Sequence, residues 1–538
     1  MHSISSVDPK VEDETTSLRT SPLQDNGRWG LVAVQLPLLL WLLTLLIWLP
    51  WLGNVPLRDW DEALVAGVSR STAAQPAWDW LLAVKNSEAI YLNKPPGLHW
   101  LIGASIERFG DYEWAVRLMP SLMASLAVPL IVILRRQLND GARTERSALC
   151  SGLILMTLLP MARHGRLAML DGTLVSCSLL LISGWLSSKR WPWHGLLAGL
   201  GGSGILLLKP PALIGYLAVI GIITLLDRPS SRKNSALGWA ISGLIPGALW
   251  HLWHLGQRGS DALVMWGGQG FGRVTEVVGN NSGAWVMPLT EVLEGGWPWI
   301  LLLPSGMVWA WRHRKTSTGL WELGLLVGSA LMVLPLRTQL PWYSHLLWPP
   351  IALLCGEALA GLLKEGRPHW IPQAWQWIGA LLLISTMVVV TMNASAALPF
   401  PALVTAGLGL FIGGMKLSRS QERQRRQGLA VVITGWSLGL LALWHSHLWL
   451  WELNEIWDPR PVAAQVRLLP PDAVVMLDGS TRPSLNWYAK RPLKELNPNP
   501  PAEFWLVSKR SRQDCSTATN SPHTDDWALW HCSSSDQP

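Results

Sequence analysis

Acids and bases are scarce in this chain, and they recur in a few short polar runs. One run, between Gly53 and about Trp114, holds Arg58-Asp59-Trp60-Asp61-Glu62, then Lys85 and Glu88, then Tyr91-Leu92-Asn93-Lys94-Pro95-Pro96. Later runs supply Arg163-His164-Gly165-Arg166 with Asp171 close behind, Lys209-Pro210-Pro211, and Arg337-Thr338-Gln339-Leu340-Pro341-Trp342-Tyr343. Carboxylates set among lysines and arginines suit a reaction in which an acid group takes up a proton while cations hold an anion. Plainer explanations compete. A pair of acids in a loop is usually solvated, and Lys-Pro-Pro is a turn that opens a helix, because proline fits the first helical turn. Arg163 and Arg166 suit interfacial cations whose stems lie along lipid. Asp171 resists such a reading, since an acid inside an apolar span normally has a partner and a role. His251 and His254, like His445 and His447, have only a weak metal spacing and read as interfacial histidines.

The elements that must position these residues are set by composition. Charged residues make up 15% of the 538 and hydrophobic ones 49%, against roughly 25% charged in soluble domains. Tryptophan is abundant, 36 residues against 5 Tyr and 5 Phe, and most of these rings are expected as belts anchoring helix ends. Soluble domains, disorder, a disulfide scaffold and a collagen-like fibre are all excluded. The net charge of +7 needs no nucleic acid, because basic cytoplasmic loops produce the same excess.

Residues 1–28 read as a cytoplasmic leader and the first span as about Leu31 to Leu52. Further apolar segments start near Ala115, Ser147, Leu167, Gly195, Ala212, Ala236, Pro298, Gly319, Tyr343, Trp375, Pro401 and Gly428, giving about thirteen spans of about 20 residues. The pair around Lys209-Pro-Pro is short and reads as tilted or broken. Gly97–Phe109 is too short to cross. If it lies along the outer interface, every strongly basic loop falls on one side, from the loop with Arg135 and Arg136 to the one with Arg425 and Arg426. The N-terminus is then inside and the C-terminal tail outside. From about Asn454, strand-like runs at 473–477, 504–507 and 527–530 predict a small α/β domain. There Cys515 and Cys532 could pair if exported. The expected division is a leader (1–28), a membrane domain (29–453) with its first outer loop at 53–114, and an exoplasmic α/β domain (454–538).

The order of the motifs resembles a known family. A DE pair follows the first span, and a KPP motif opens a helix. Glu113-Trp-Ala-Val-Arg117-Leu-Met-Pro comes next, then Arg166-x-x-Met-Leu-Asp171, a second Lys-Pro-Pro, and a Leu-Pro-x-Tyr turn before Pro349-Pro350. This is similar to the GT-C membrane glycosyltransferases that use polyprenyl-phosphate sugars, nearest the bacterial aminoarabinose transferases of lipid A and more distantly the protein O-mannosyltransferases. The resemblance implies an inverting transferase of the bacterial plasma membrane, active on the outer face. Its partners would be a polyprenyl-phosphate sugar donor, a lipid, glycan or protein acceptor, and membrane lipids. It makes Asp61 the general base, with Glu62 supporting it and Asp171 shaping the catalytic site, and gives Lys94 the lipid phosphate. Arg58, Asp59, Arg117, Arg166, Lys209, Arg337 and Tyr343 complete the expected substrate-binding set. Two positions depart from the pattern. Asn93 stands where the family has a glutamate associated with a metal, so a divalent metal is left open, and Leu64 stands where it has an arginine, whose place Arg58 or Arg117 would take. A transporter or lipid flippase is the alternative, but it expects internal repeats and charges at mid-membrane.

Overall fold

The computed structural model describes residues 26–533 except 77, 86–88, 139–143, 228–233, 278–284, 392–398, 451–457, 481, 499, 510–514 and 518–526. Residues 1–25 of the expected leader therefore lie outside the described residues, and 26–28 form the first turn of the helix Asn26–Trp48.

Up to His445 the described chain is almost wholly helical, the form in which an apolar segment satisfies its own backbone in lipid. Among the described residues, five helices are long and apolar enough to cross a membrane: Glu113–Leu138, Leu170–Ser187, Trp370–Thr391, Phe400–Leu417 and Glu422–His445. The pair Thr144–Thr157 and Leu159–Gly165, bent by 59°, makes six if it counts as one span. Proline marks many of the breaks: Pro160 opens the second half of that pair, and Pro210 restarts the chain after Gly195–Leu206 as Pro210–Leu226. Gly97–Phe109 is a helix of 13 residues, short of a span.

Tryptophan serves the interior more than expected. Trp48, Trp299, Trp321, Trp348, Trp375, Trp444 and Trp449 are fully buried. Several bind across the bundle, Trp48 donating to the Met156 carbonyl at 3.0 Å and Trp375 to that of Pro298 at 3.1 Å. A buried indole needs such a partner. Arg135, placed among the cytoplasmic loop cations by sequence, is buried too, against Glu322 and Glu357.

Near the C-terminus, strands β3 (Val475–Leu477), β4 (Lys494–Glu495), β5 (Glu503–Ser508), β6 (Cys515–Thr517) and β7 (Ala528–Ser533) form a mixed sheet in the order β4-β3-β5-β7-β6. A two-stranded ribbon, β1 (Val84–Lys85) with β2 (Ala89–Ile90), lies earlier in the first polar stretch. β3 is parallel to β4 and β5, and β7 is antiparallel to β5 and β6. Helices Arg460–Leu468 and Pro483–Ala489 cover one face, where Val462, Val466, Leu485, Val475, Val507 and Leu529 pack together. The three strand-like runs of the sequence fall in β3, β5 and β7, and Cys515 is disulfide-bonded to Cys532.

Candidate active site

Asp59, Asp61 and Glu62 of the first polar stretch sit on one tight turn, Asp59–Ala63, which runs directly into the helix Leu64–Ala73. The turn gives its three carboxylates three different surroundings. Glu62 is fully buried, and its oxygens accept from Arg117 Nε and Nη2, each at 2.7 Å, and from the Ala168 N–H at 2.9 Å. Arg117 spends its remaining N–H groups on the carbonyls of Leu52, Val55 and Pro56, at 2.7 to 2.9 Å. A guanidinium has five N–H donors, so none is left for a substrate. Glu62, expected to support Asp61, and Arg117, expected to bind substrate, form a buried ion pair that braces the turn from beneath.

Asp59 is committed as well. One oxygen accepts from the Ser484 N–H at 2.8 Å and the other from Arg482 at 2.9 Å, which clasps the tail helix onto the turn. Asp61 is different. It is half-buried, and no hydrogen bond holds its carboxylate among the described residues. Burial first, then the negative charges of Asp171 and Glu62, raise its pKa to about 7, against the opposing pull of Lys209 and Arg58. A carboxylate poised near neutrality is matched to general-base work.

Cations face it. Lys209 Nζ lies 2.6 Å from Asp171 Oδ1 and 5.4 Å from the centre of the Tyr343 ring. Arg273 donates to the Tyr343 hydroxyl at 2.9 Å. Lys94, half-buried, makes no hydrogen bond or ion pair among the described residues. Burial, with the positive charges of Lys209 and Arg273, lowers its pKa to about 7. Two Lys-Pro-Pro turns, 115 positions apart in sequence, are thereby brought into one electrostatic neighbourhood. Gly97 explains how: its N–H donates to the Leu207 carbonyl at 3.1 Å, and a Cβ there would sit 2.7 Å from that oxygen. Only glycine permits so close an approach.

The rest of the predicted set divides. Asp171 is paired with Lys209, and its charge also bears on Asp61. Arg58 is the other cation acting on Asp61. Arg337 is exposed and enters only through its backbone N–H, which donates to the Arg273 carbonyl at 3.0 Å. Arg166 is buried between the rings of Trp444 and Trp449, at 4.6 and 4.9 Å, and donates to the Trp48 carbonyl.

Two groups escaped the sequence. Arg273 follows Gly267-Gly-Gln-Gly-Phe-Gly272, a glycine-rich loop that was the available signal. His345 pairs with His164, Nε2 to Nδ1 at 3.2 Å, while its Nδ1 donates to the Trp342 carbonyl at 2.6 Å. For a metal the residues do not fit: among those described, no three His, Cys, Asp or Glu side chains are grouped to hold an ion.

Residues 93–253 match the family model described as dolichyl-phosphate-mannose-protein mannosyltransferase. That stretch carries Lys94, Asp171 and Lys209 but begins after Asp61. An undecaprenyl phosphate-alpha-4-amino-4-deoxy-L-arabinose arabinosyl transferase of Pseudomonas fluorescens is 26% identical over 63% of this chain and 61% of its own length. One from Aeromonas salmonicida is 25% identical over 66% of this chain and 65% of its own. The chain thus spans rather less than two thirds of these relatives. The structure of ArnT from Cupriavidus metallidurans bound to undecaprenyl phosphate superposes with a TM-score of 0.70 at 18% identity, over 95% of this chain and 99% of that one. The chain resembles the ArnT transferases and shares their fold. In this ArnT-like chain the GT-C fold brings Asp61, Lys94, Lys209 and Arg273 together from segments spread over more than 200 residues of sequence.

Proposed function

We propose that the chain is an inverting glycosyltransferase that moves a sugar from a polyprenyl-phosphate donor to an acceptor hydroxyl or amine. The observation that carries this reading is Asp61, half-buried, unbonded and titrating near pH 7 within reach of the field of Lys209. In the proposed step, the donor phosphate rests on Lys94, Lys209 and Arg273. Asp61 takes the acceptor's proton as the acceptor atom bonds to the anomeric carbon. The bond from that carbon to the phosphate oxygen breaks, and the lysines and arginine balance the charge that develops on the leaving phosphate. One displacement suffices, so no covalent sugar intermediate forms. Asp171 orients the Lys209 ammonium, and the Glu62–Arg117 brace fixes the turn that carries Asp61.

The named substrates of the relatives support a polyprenyl-phosphate donor. The one-sided distribution of basic loops supports a plasma-membrane protein of about thirteen spans, with leader inside and the tail domain, from about residue 454, outside. A disulfide in that tail suits an oxidising compartment. Lys94→Ala should weaken binding of undecaprenyl phosphate to the purified protein about tenfold or more, measured by calorimetry in detergent. An unchanged dissociation constant would remove Lys94 from the phosphate site.

A further inference from the structure

Far along the chain from the catalytic turn, the helices Phe400–Leu417 and Glu422–His445 are both apolar enough to cross a membrane, and a short basic turn joins them. They meet closely at two glycines. A Cβ on Gly409 would sit 2.8 Å from the Gly435 Cα, an approach that larger residues would not permit. A groove of about 360 Å³ opens over this meeting point. Leu408 and Ile412 wall it on one helix and Ala430, Thr434 and Leu438 on the other, and all five are exposed.

The groove runs on into the basic turn. Residues four and seven apart share a helix face, so Lys416 continues the row of Leu408 and Ile412. On the other helix, Arg426 and Arg423 stand four and seven positions before Ala430, and Arg419 lies in the turn between. Buried Arg425 holds that turn in shape. Its guanidinium donates to the carbonyls of Arg419 at 3.1 Å and of Ser420, and to those of Leu363 and Lys364 on the helix Trp348–Glu365 at 2.8 and 2.6 Å. Glu422, the one acid between Lys416 and Gln427, is already taken by Arg426 at 2.6 Å and Arg146 at 2.9 Å. Among the described residues, no hydrogen bond or ion pair engages the side chains of Lys416, Arg419 or Arg423. These cations therefore stand ready for an anion at the mouth of an apolar groove.

One class of molecule matches both features. The 15 residues from Arg423 to Leu438 span about 22 Å of helix, the depth of one bilayer leaflet with its headgroup region. A second copy of the chain fits less well. Copies in one membrane share an orientation, so pairing two grooves about a twofold axis would set two clusters of like charge side by side. We propose that this hairpin binds an anionic phospholipid of the surrounding membrane, its phosphate on Lys416, Arg419 and Arg423 and one acyl chain in the groove. The site takes no part in sugar transfer and stands independently of that reading.

The test uses the full chain in phosphatidylcholine nanodiscs doped with one of two lipids that carry a photoactivatable diazirine midway along an acyl chain. One probe is a phosphatidylglycerol and the other a phosphatidylcholine, and labelled residues are mapped by peptide mass spectrometry. The phosphatidylglycerol probe should label the groove at least about tenfold more than the phosphatidylcholine probe, and added salt should erode the difference. Lys416→Gln/Arg419→Gln/Arg423→Gln should bring its labelling down to the phosphatidylcholine level. Ala430→Phe, which fills the groove without touching the charges, should abolish groove labelling by both probes. Undecaprenyl phosphate binding should be unchanged in both variants, which shows that they are folded. Equal labelling by the two probes, or full labelling by phosphatidylglycerol in both variants, overturns the proposal. So does a groove that neither probe labels while copies of the chain cross-link through it, which would assign it to a dimer. Competition by the free glycerophosphoglycerol headgroup as strong as that by intact phosphatidylglycerol would also overturn it, by leaving the groove without a role.

Discussion

The adjacent acids Asp61 and Glu62 divide their work by surroundings, not by chemistry. Glu62 has traded water for a bidentate guanidinium and a backbone N–H, whereas Asp61 has lost water without gaining a partner. Glu62→Gln should leave the buried Arg117 charge uncompensated. Breaking such a pair costs about 3–5 kcal/mol, so thermal unfolding in detergent should begin at a clearly lower temperature; an unshifted transition would contradict the brace. Titration gives a second prediction. The raised Asp61 pKa means the base form is gained as pH rises through about 7, and the lowered Lys94 pKa means its charge is lost over the same range. The free-enzyme profile, kcat/KM against pH, should be a narrow bell centred near 7, and Asp61→Asn should leave no acid limb in whatever turnover remains. A profile flat from pH 6 to 8 would contradict both shifts. The sequence showed which residue types were present, and Asp61, Lys94 and Lys209 stood out in it. It could not show that Arg117 is saturated, because the carbonyls that saturate it belong to residues 52–56, more than 60 positions away.

At the scale of elements, the site depends on how two broken helices meet. Lys94 and Lys209 each precede a Pro-Pro that restarts a helix, and Gly97 lets those two restarts touch at Leu207. Gly97→Val should push them apart and weaken undecaprenyl phosphate binding by about tenfold, while Gly67→Ala, on an open helical face, should not; equal effects of the two would deny that the contact matters. Recurrence of the motif was legible in the sequence, but contact between its two copies was not, since it depends on packing across the bundle. Arg273 carries only a weak sequence signal for a related reason. It sits after a glycine-rich stretch with no periodic pattern, and only the fold carries it to Tyr343.

For the whole molecule, composition was enough to establish a helical membrane protein, and motif order was enough to suggest the GT-C resemblance. The tail was less legible. Its strand runs were visible, but not the clasp of Arg482 and Ser484 on Asp59, which joins residues more than 420 positions apart. Through that clasp the C-terminal sheet, the Asp59–Ala63 turn and the helical bundle form one device around Asp61. The central claim is that this device transfers a sugar, with Asp61 as the base. It is tested most directly by mass spectrometry of envelope lipids and glycans from a strain lacking the chain, complemented with either the parent or the Asp61→Asn protein at equal membrane levels. One glycan pool should lose a sugar in the deletion, regain it with the parent chain, and fail to regain it with Asp61→Asn. No change in any pool, or full recovery with Asp61→Asn, would contradict that claim.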